Sequence, residues 1–215
     1  ACAYNVELQK DPNVRALKES DAYPAMAERG YGWEKLMSEM FCEEYYAERG
    51  MKTFIARFHN VYGPFGTWEG GREKAPAALS RKVIEAQDTG RGTIDIWGDG
   101  TQTRSFMYID DCTFGIDKIM HCEDLIATPV NLGSSRLISI NDLVSIIEKI
   151  AGIELKREYI LDAPKGVAGR NSDNTFIKQV LGWEPDTSLE EGMKATYSWI
   201  KQQYEDRKAG KRTVS

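Results

Sequence analysis

The chain has 215 residues, a formal charge of −5, 41% hydrophobic residues and 10% aromatic residues. This length suits one large domain or two small ones with a real core, and the acidic balance argues against wholesale nucleic-acid binding. No apolar run approaches the roughly 20 residues needed to cross a bilayer.

The opening Ala1-Cys2-Ala3-Tyr4-Asn5 has neither an initiating Met nor a leader, so the chain is expected to be cut from a longer protein. Residues 6–26 are polar and turn-rich, with Pro12, Asp21 and Pro24, and read as a loop. A helix is expected over about 30–49, where Trp33, Leu36, Met37, Met40, Phe41 and Tyr45 recur at 3.6-residue spacing, and Gly50 ends it as a C-terminal cap. Lys52–Phe58 reads as a short strand running into the turn His59–Pro64, followed by a Gly-rich loop over 63–73 and a helix over about 75–88 with Pro76 in its first turn. Thr93–Trp97 and Arg104–Ile109 read as strands joined through Gly98-Asp99-Gly100, an Asp-Gly turn signal. There follow a helix over about 110–121, a strand at Pro129–Leu132, and a helix over about 139–151 capped by Ser139 with Asp142 three residues on. Lys156–Ile160 is a strand, then comes a loop with Pro164, Gly166 and Gly169, and then a helix over about 174–181. Gly182-Trp183-Glu184-Pro185 breaks that helix, and Ser188 caps a final helix over about 189–206. The basic cluster from Arg207 to Arg212 reads as a frayed tail.

Strands alternating with helices argue for an α/β protein with a parallel sheet. No strand–GxGxxG–helix unit occurs. The four cysteines, Cys2, Cys42, Cys112 and Cys122, and the two histidines, His59 and His121, have no zinc-like spacing. Cysteines without CxxC spacing fit a reduced, cytoplasmic setting.

Tyr31 and Lys35 stand four apart on the first helix, hence on one face. A free phenol ionises near pH 10 and is a poor base at neutrality. A neighbouring ammonium favours the phenolate. On spacing alone a surface aromatic–cation pair is the commoner reading.

Four segments in order strengthen the catalytic reading: Tyr31-x-x-x-Lys35, Arg57-Phe58-His59-Asn60-Val61-Tyr62-Gly63-Pro64, Gly98-Asp99-Gly100 with Thr103-Arg104-Ser105-Phe106, and Asn131-Leu132-Gly133. Together they resemble the extended short-chain dehydrogenase/reductase superfamily, whose NAD-dependent epimerases and dehydratases act on nucleotide sugars. The run Arg57 to Ala78, the run Trp97 to Phe106, Gly169-Arg170-Asn171-Ser172-Asp173-Asn174 and Ala1-Cys2-Ala3-Tyr4 are similar to one family within it, the GDP-mannose 3,5-epimerases. This likeness runs from residue 1 to about 203 and corresponds to the C-terminal part of that family's chain. The fold it implies is a partial Rossmann-like, doubly wound parallel sheet, its N-terminal Gly-rich nucleotide-binding half lying before Ala1, with a smaller mixed α/β substrate-binding subdomain. Residues 1–63 would belong to the NAD-binding domain, 64–205 mainly to the nucleotide-sugar subdomain, and 206–215 to the tail.

The resemblance implies a reaction that inverts C3 and C5 of GDP-mannose without net redox change. The C–H bonds at these carbons are not acidic in the sugar, but a ketone at C4 makes both α to a carbonyl. A bound NAD would take the C4 hydride and return it. Tyr31 would move the O4 proton, Lys35 would lower its pKa and hold the nicotinamide ribose, Cys2 would take the α-protons, and Lys74 would donate from the other face. Arg104 and Arg170 would grip the diphosphate through their planar forks, and Asn60 and Ala75 would lie against the substrate. Each has a plainer alternative: an inert buried thiol for Cys2, a solvated helix start for Lys74, surface salt bridges for the arginines. His59 reads as a hydrogen-bonded core histidine, Trp183 and Trp199 as core, and Lys52 and Lys178 as solvated. A homodimer follows from the family, with neither nucleic acid nor membrane as partner. A 4,6-dehydratase would need an Asp-Glu pair where Ala1-Cys2-Ala3 stands. Other readings are another epimerase of the same fold or a non-catalytic sugar-nucleotide-binding fragment.

Overall fold

In the computed structural model, residues 2–163 and 166–214 are described. Ala1, Pro164 and Ser215 lie outside the described residues. In chain order the elements are α1 (Tyr31–Arg49), β1 (Ile55–Phe58), β2 (Val61–Tyr62), α2 (Ala75–Thr89), β3 (Thr93–Trp97), β4 (Thr103–Arg104), β5 (Met107–Tyr108), α3 (Ile109–Met120), β6 (Pro129–Leu132), β7 (Ile138–Ser139), α4 (Ile140–Ala151), β8 (Lys156–Ile160), β9 (Gly169–Arg170), α5 (Thr175–Leu181) and α6 (Leu189–Lys208), with short 3-10 turns at Val6–Gln9, Glu19–Ala22 and Glu123–Leu125. They divide into two compact units. The first comprises Ala1–Val61, Arg104–Leu137 and Val167–Asp186; the second comprises Tyr62–Thr103, Ile138–Gly166 and Thr187–Ser215.

In the first unit β1 and β6 pair in parallel, from Ile55 opposite Pro129 to Phe58 opposite Leu132. Parallel strands need a long crossover between them, which is the α/β signature expected from the sequence. One core cluster gathers Met107, Cys112, Ile119, Leu125, Val130, Leu132 and Ile177, with Trp183 packed against it and edge-on to Phe114 at 5.1 Å. A second gathers Ala3, Tyr4, Val14, Leu17, Ala22, Ala27 and Leu36. Residues 6–26 are therefore not a surface loop: Leu17 is fully buried. The segment satisfies its backbone within itself, through Val6 N–H to Met26 O, and against distant chain, through Leu17 N–H to Asn171 O and Asp173 N–H to Leu17 O. Irregular backbone can be buried when its polar groups find such partners.

Helix α1 ends at Gly50, whose left-handed φ of 66° lets its N–H reach Tyr46 O at 2.9 Å. Its buried residues are Gly32, Leu36 and Glu39. Of the apolar positions that signalled the helix, only Leu36 is buried; Trp33, Met37, Met40, Phe41 and Tyr45 are exposed.

In the second unit β3 and β8 pair in parallel over their whole length. The structure corrects the single strand expected over Arg104–Ile109 after the Gly98-Asp99-Gly100 turn. The stretch 104–109 divides into Arg104, which ends β4, and β5, while β3 takes a partner some 60 residues on, which an Asp-Gly turn signal does not report. Helices α2, α4 and α6 pack on one another, burying Leu79, Val83, Ile84, Leu143, Val144, Ile147, Met193 and Ile200. Ser139 Oγ accepts from Asp142 N–H at 3.0 Å and Ser188 Oγ from Glu191 N–H at 3.3 Å, the caps read from the sequence. The C-terminal end is not frayed. Helix α6 runs to Lys208, whose ammonium pairs with Asp88 at 2.7 Å. Arg207 pairs with Glu69 and covers the Trp68 ring at 4.9 Å, and Trp68 Nε1 donates to Val214 O at 2.5 Å.

Candidate active site

Tyr31 opens α1 and Lys35 follows one turn later. The Lys35 ammonium lies 4.9 Å from the centre of the Tyr31 ring. Glu34 accepts from Lys35 Nζ at 2.8 Å, and this hydrogen bond holds the ammonium above its ordinary pKa, so Lys35 stays cationic at neutrality. Both side chains face a cleft of about 290 Å³ that Cys2, Glu39, Cys42 and Arg57 also line. Cys2 reaches this cleft because the first turn of α1 closes tightly on its backbone. A Cβ on Gly32 would lie 2.4 Å from Cys2 O, so only glycine fits there, and Glu28 N–H donates to the same carbonyl at 3.3 Å.

Arg170 stands beside Cys2. Its Nη1 is 3.6 Å from Cys2 Sγ, its Nε donates to Gln9 Oε1, and its Nη2 is 3.6 Å from Glu28 Oε1. Arg104 donates from Nη1 to Ala168 O at 3.4 Å. Burial, then the nearby Arg170 charge, pull its pKa down to about 10, against the opposing pull of Glu28. Two guanidiniums that repel each other, with the half-buried Glu28 carboxylate opposing them among the described residues, form an electropositive region that suits an anionic ligand. Asn60, at a positive φ of 23°, donates from Nδ2 to Ser105 O at 3.1 Å. Its amide is thus partly committed to the protein.

Beneath these groups lies a buried polar network centred on Asn131. Asn131 Oδ1 accepts from the Tyr4 hydroxyl and from His59 Nε2 at 3.2 Å. Asn131 Nδ2 donates to Leu17 O at 2.8 Å and Asp173 O at 3.2 Å. The amide is saturated, as burial demands. Gly133 makes room for this arrangement, since a Cβ there would lie 2.5 Å from His59 Cβ. Burial holds His59 neutral, its pKa pulled to about 3; it is the core histidine the sequence suggests. Arg57 and Glu39 form a buried ion pair at 2.7 Å.

Lys74 and Ala75 belong to the second unit. Lys74 is exposed at the N-cap position of α2, where its side chain makes no capping hydrogen bond, and Ala75 is the first residue of the helix. Cys2, Tyr31, Lys35, Asn60, Arg104 and Arg170 all belong to the first. Gln9 and Glu28 are the neighbours of Arg170 that sequence reasoning missed. Neither lies in a spaced motif, and Gln9 sits in the polar, turn-rich stretch 6–26.

The sequence profile of the NAD dependent epimerase/dehydratase family matches residues 3–133. The chain belongs to this family. It is 47% identical over 208 residues to GDP-mannose 3,5-epimerase 1 of Oryza sativa subsp. indica, covering 97% of this chain and 53% of that protein. It is 45% identical over 215 residues to GDP-mannose 3,5-epimerase of Arabidopsis thaliana, covering all of this chain and 55% of that protein. The chain thus spans about half the length of the curated relatives it matches. Among solved structures, UDP-glucose 4-epimerase of Thermotoga maritima with UDP-glucose superposes with a TM-score of 0.78 at 26% identity, over 94% of this chain and 62% of that one. The fold is the α/β, partial Rossmann-like arrangement of this family. Among the described residues no helix is long and apolar enough to cross a membrane, and none of them form a metal-binding cluster.

Family members use NAD. The observation that bears on its fit is the cleft at the start of α1, where the Lys35 ammonium and the Tyr31 phenol share one wall with Cys2. A cationic donor and a phenol suit a nicotinamide ribose and a sugar hydroxyl.

Proposed function

We propose that the complete protein inverts C3 and C5 of GDP-mannose through a transient C4 ketone, giving GDP-L-galactose-type products. The observation that carries this reading is the sharing of one cleft by Tyr31, Lys35 and Cys2, with the Arg170 guanidinium at the cysteine sulfur. A 4-epimerase needs the Tyr–Lys pair alone; a thiol beside it supplies a second proton-transfer group.

NAD, when bound, supplies reversible hydride transfer at C4. Tyr31 accepts the O4 proton and later returns it, helped by the fixed charge of Lys35. Once C4 is a carbonyl, Cys2 as thiolate removes a proton α to it, a task for which a thiol's intrinsic pKa of about 8.5 is well matched. Lys74 donates the returning proton. Arg104 and Arg170 hold anionic oxygen in the electropositive part of the site, and Asn60 and Ala75 contact the substrate. On this reading residues 1–63 and the segments that join them form part of an NAD-binding domain, and 64–205 supply mainly the nucleotide-sugar subdomain. The exposed apolar stripe on α1 supports a homodimer, and the free thiols support a cytoplasmic location.

The test is to incubate the complete protein with NAD and GDP-mannose in heavy water and follow C3 and C5 by NMR. Deuterium is expected at both carbons. Hydride transfer at C4 with no deuterium at either carbon sinks the 3,5-epimerase reading. Cys2→Ala is expected to lower exchange by about 1,000-fold or more while sparing the single-turnover absorbance of reduced cofactor.

A further inference from the structure

Gln9 is fully buried, 0% exposed, in the short turn Val6–Gln9. Its Nε2 donates to Asn5 O at 3.2 Å and Tyr4 O at 3.4 Å. Because carbonyls can only accept, they fix which end of the amide is which. The carbonyl end must then face Arg170, where Oε1 accepts from Nε. The backbone of Gln9 is tied down as well, since Ala168 N–H donates to Gln9 O at 3.0 Å. A guanidinium is planar, so pinning Nε sets the plane of the other two nitrogens. One of them, Nη1, meets Cys2 Sγ at 3.6 Å. The other, Nη2, is buried without a hydrogen-bond partner among the described residues.

We propose that Gln9 is a positioning residue for the proton-transfer half of the reaction: it locks the Arg170 guanidinium against the Cys2 sulfur and has no part in the hydride step. This rests on the epimerase reading above. The Tyr31–Lys35 pair has its own support in α1 and Glu34, so the two halves of the chemistry respond separately to a change at Gln9.

Gln9→Met keeps the side-chain length and removes the acceptor. In the complete protein it is expected to slow deuterium entry at C3 and C5 by about 10- to 100-fold, the scale of a misplaced catalytic group. The single-turnover signal of reduced cofactor, per folded molecule, stays within about twofold of wild type. In an Arg170→Lys background the same change adds less than about twofold, since both act through one contact. Alkylation of Cys2 by iodoacetamide, followed by peptide mass, responds to a cation held at the sulfur and slows in both single variants; this readout needs no substrate. If Gln9→Met does not fold, Gln9→Asn, with the same amide one methylene shorter, takes its place. Wild-type exchange and alkylation in the Gln9 variant, parallel loss of exchange and hydride transfer, or additive losses with Arg170→Lys each overturn the proposal. Absence of exchange in the unmodified protein overturns the epimerase reading instead, and the alkylation rates then decide the role of Gln9 alone.

Discussion

Helix α4 in the second unit buries Ile140, Leu143, Val144 and Ile147, with Glu148 paired to Arg157 as the one charged residue on that face, and turns Asp142 and Lys149 outward. Helix α1 in the first unit leaves most of its apolar residues outside: its buried face holds Gly32, Leu36 and Glu39, and Trp33, Met37, Met40, Phe41 and Tyr45 face outward. Both have the same 3.6-residue apolar rhythm. Single exposed apolar residues are ordinary, but a continuous stripe of five marks a surface built to be covered. Helix α4 completes its packing within its own unit. Helix α1 uses its inner face for the site, where a glycine lets Cys2 approach and a carboxylate holds Arg57. Hydrophobic periodicity therefore reports that a helix forms, but not which side of it packs.

The contrast can be broken at its inner faces first. Glu39→Ala leaves the Arg57 guanidinium buried without its carboxylate, and the first unit is expected to lose about 3–5 kcal/mol, read as a fall in its urea midpoint. A loss under about 1 kcal/mol would mean that Arg57 finds solvent or another anion. Leu143→Ala, in the apolar interior of α4, is expected to cost about 2–5 kcal/mol by leaving a cavity. The two variants should act on separate transitions if the units unfold independently.

A pH titration sharpens the same comparison, because a histidine is buried neutral in the first unit. The folded pKa of His59, near 3, lies below its ordinary value of 6.5. Between these values the unfolded chain takes up a proton that the folded unit refuses. The stabilisation is therefore complete above about pH 6.5 and lost as pH falls toward 3. The urea midpoint should be lower at pH 5 than at pH 7.5, and His59→Gln should flatten this slope; an unchanged slope would point to carboxylates instead. The smallest expected effect is on the outer faces. Lys149→Glu on α4 should change stability by less than about 0.5 kcal/mol. Phe41→Glu on α1 should leave the fold equally intact yet shift sedimentation from dimer toward monomer, and identical sedimentation would remove α1 from the proposed interface.

Much of the site was legible from residue types and spacing. The Tyr31–Lys35 turn, the Ser139 and Ser188 caps, the strands Pro129–Leu132 and Lys156–Ile160 and the buried His59 all depend on local chemistry, and local chemistry is what a sequence displays. The pairing of β3 with β8, the burial of Leu17 and the contact of Gln9 with Arg170 join residues about 60 to 160 positions apart. No local signal encodes which distant groups will meet. The same holds for the tail: its basic residues looked solvated because their partners, Glu69 and Asp88, lie well over a hundred positions away.

By itself, the sequence determined the helices and strands, the family likeness and the residue types available for proton transfer, because periodicity, caps and motifs act over a few residues. Only the tertiary structure decided that Cys2 lies in the same cleft as Tyr31 and Lys35, that Arg170 stands at its sulfur rather than free in solvent, and that a buried glutamine holds Arg170 there. Those facts depend on close packing and on which distant polar groups meet in the interior, and both are properties of the folded chain as a whole.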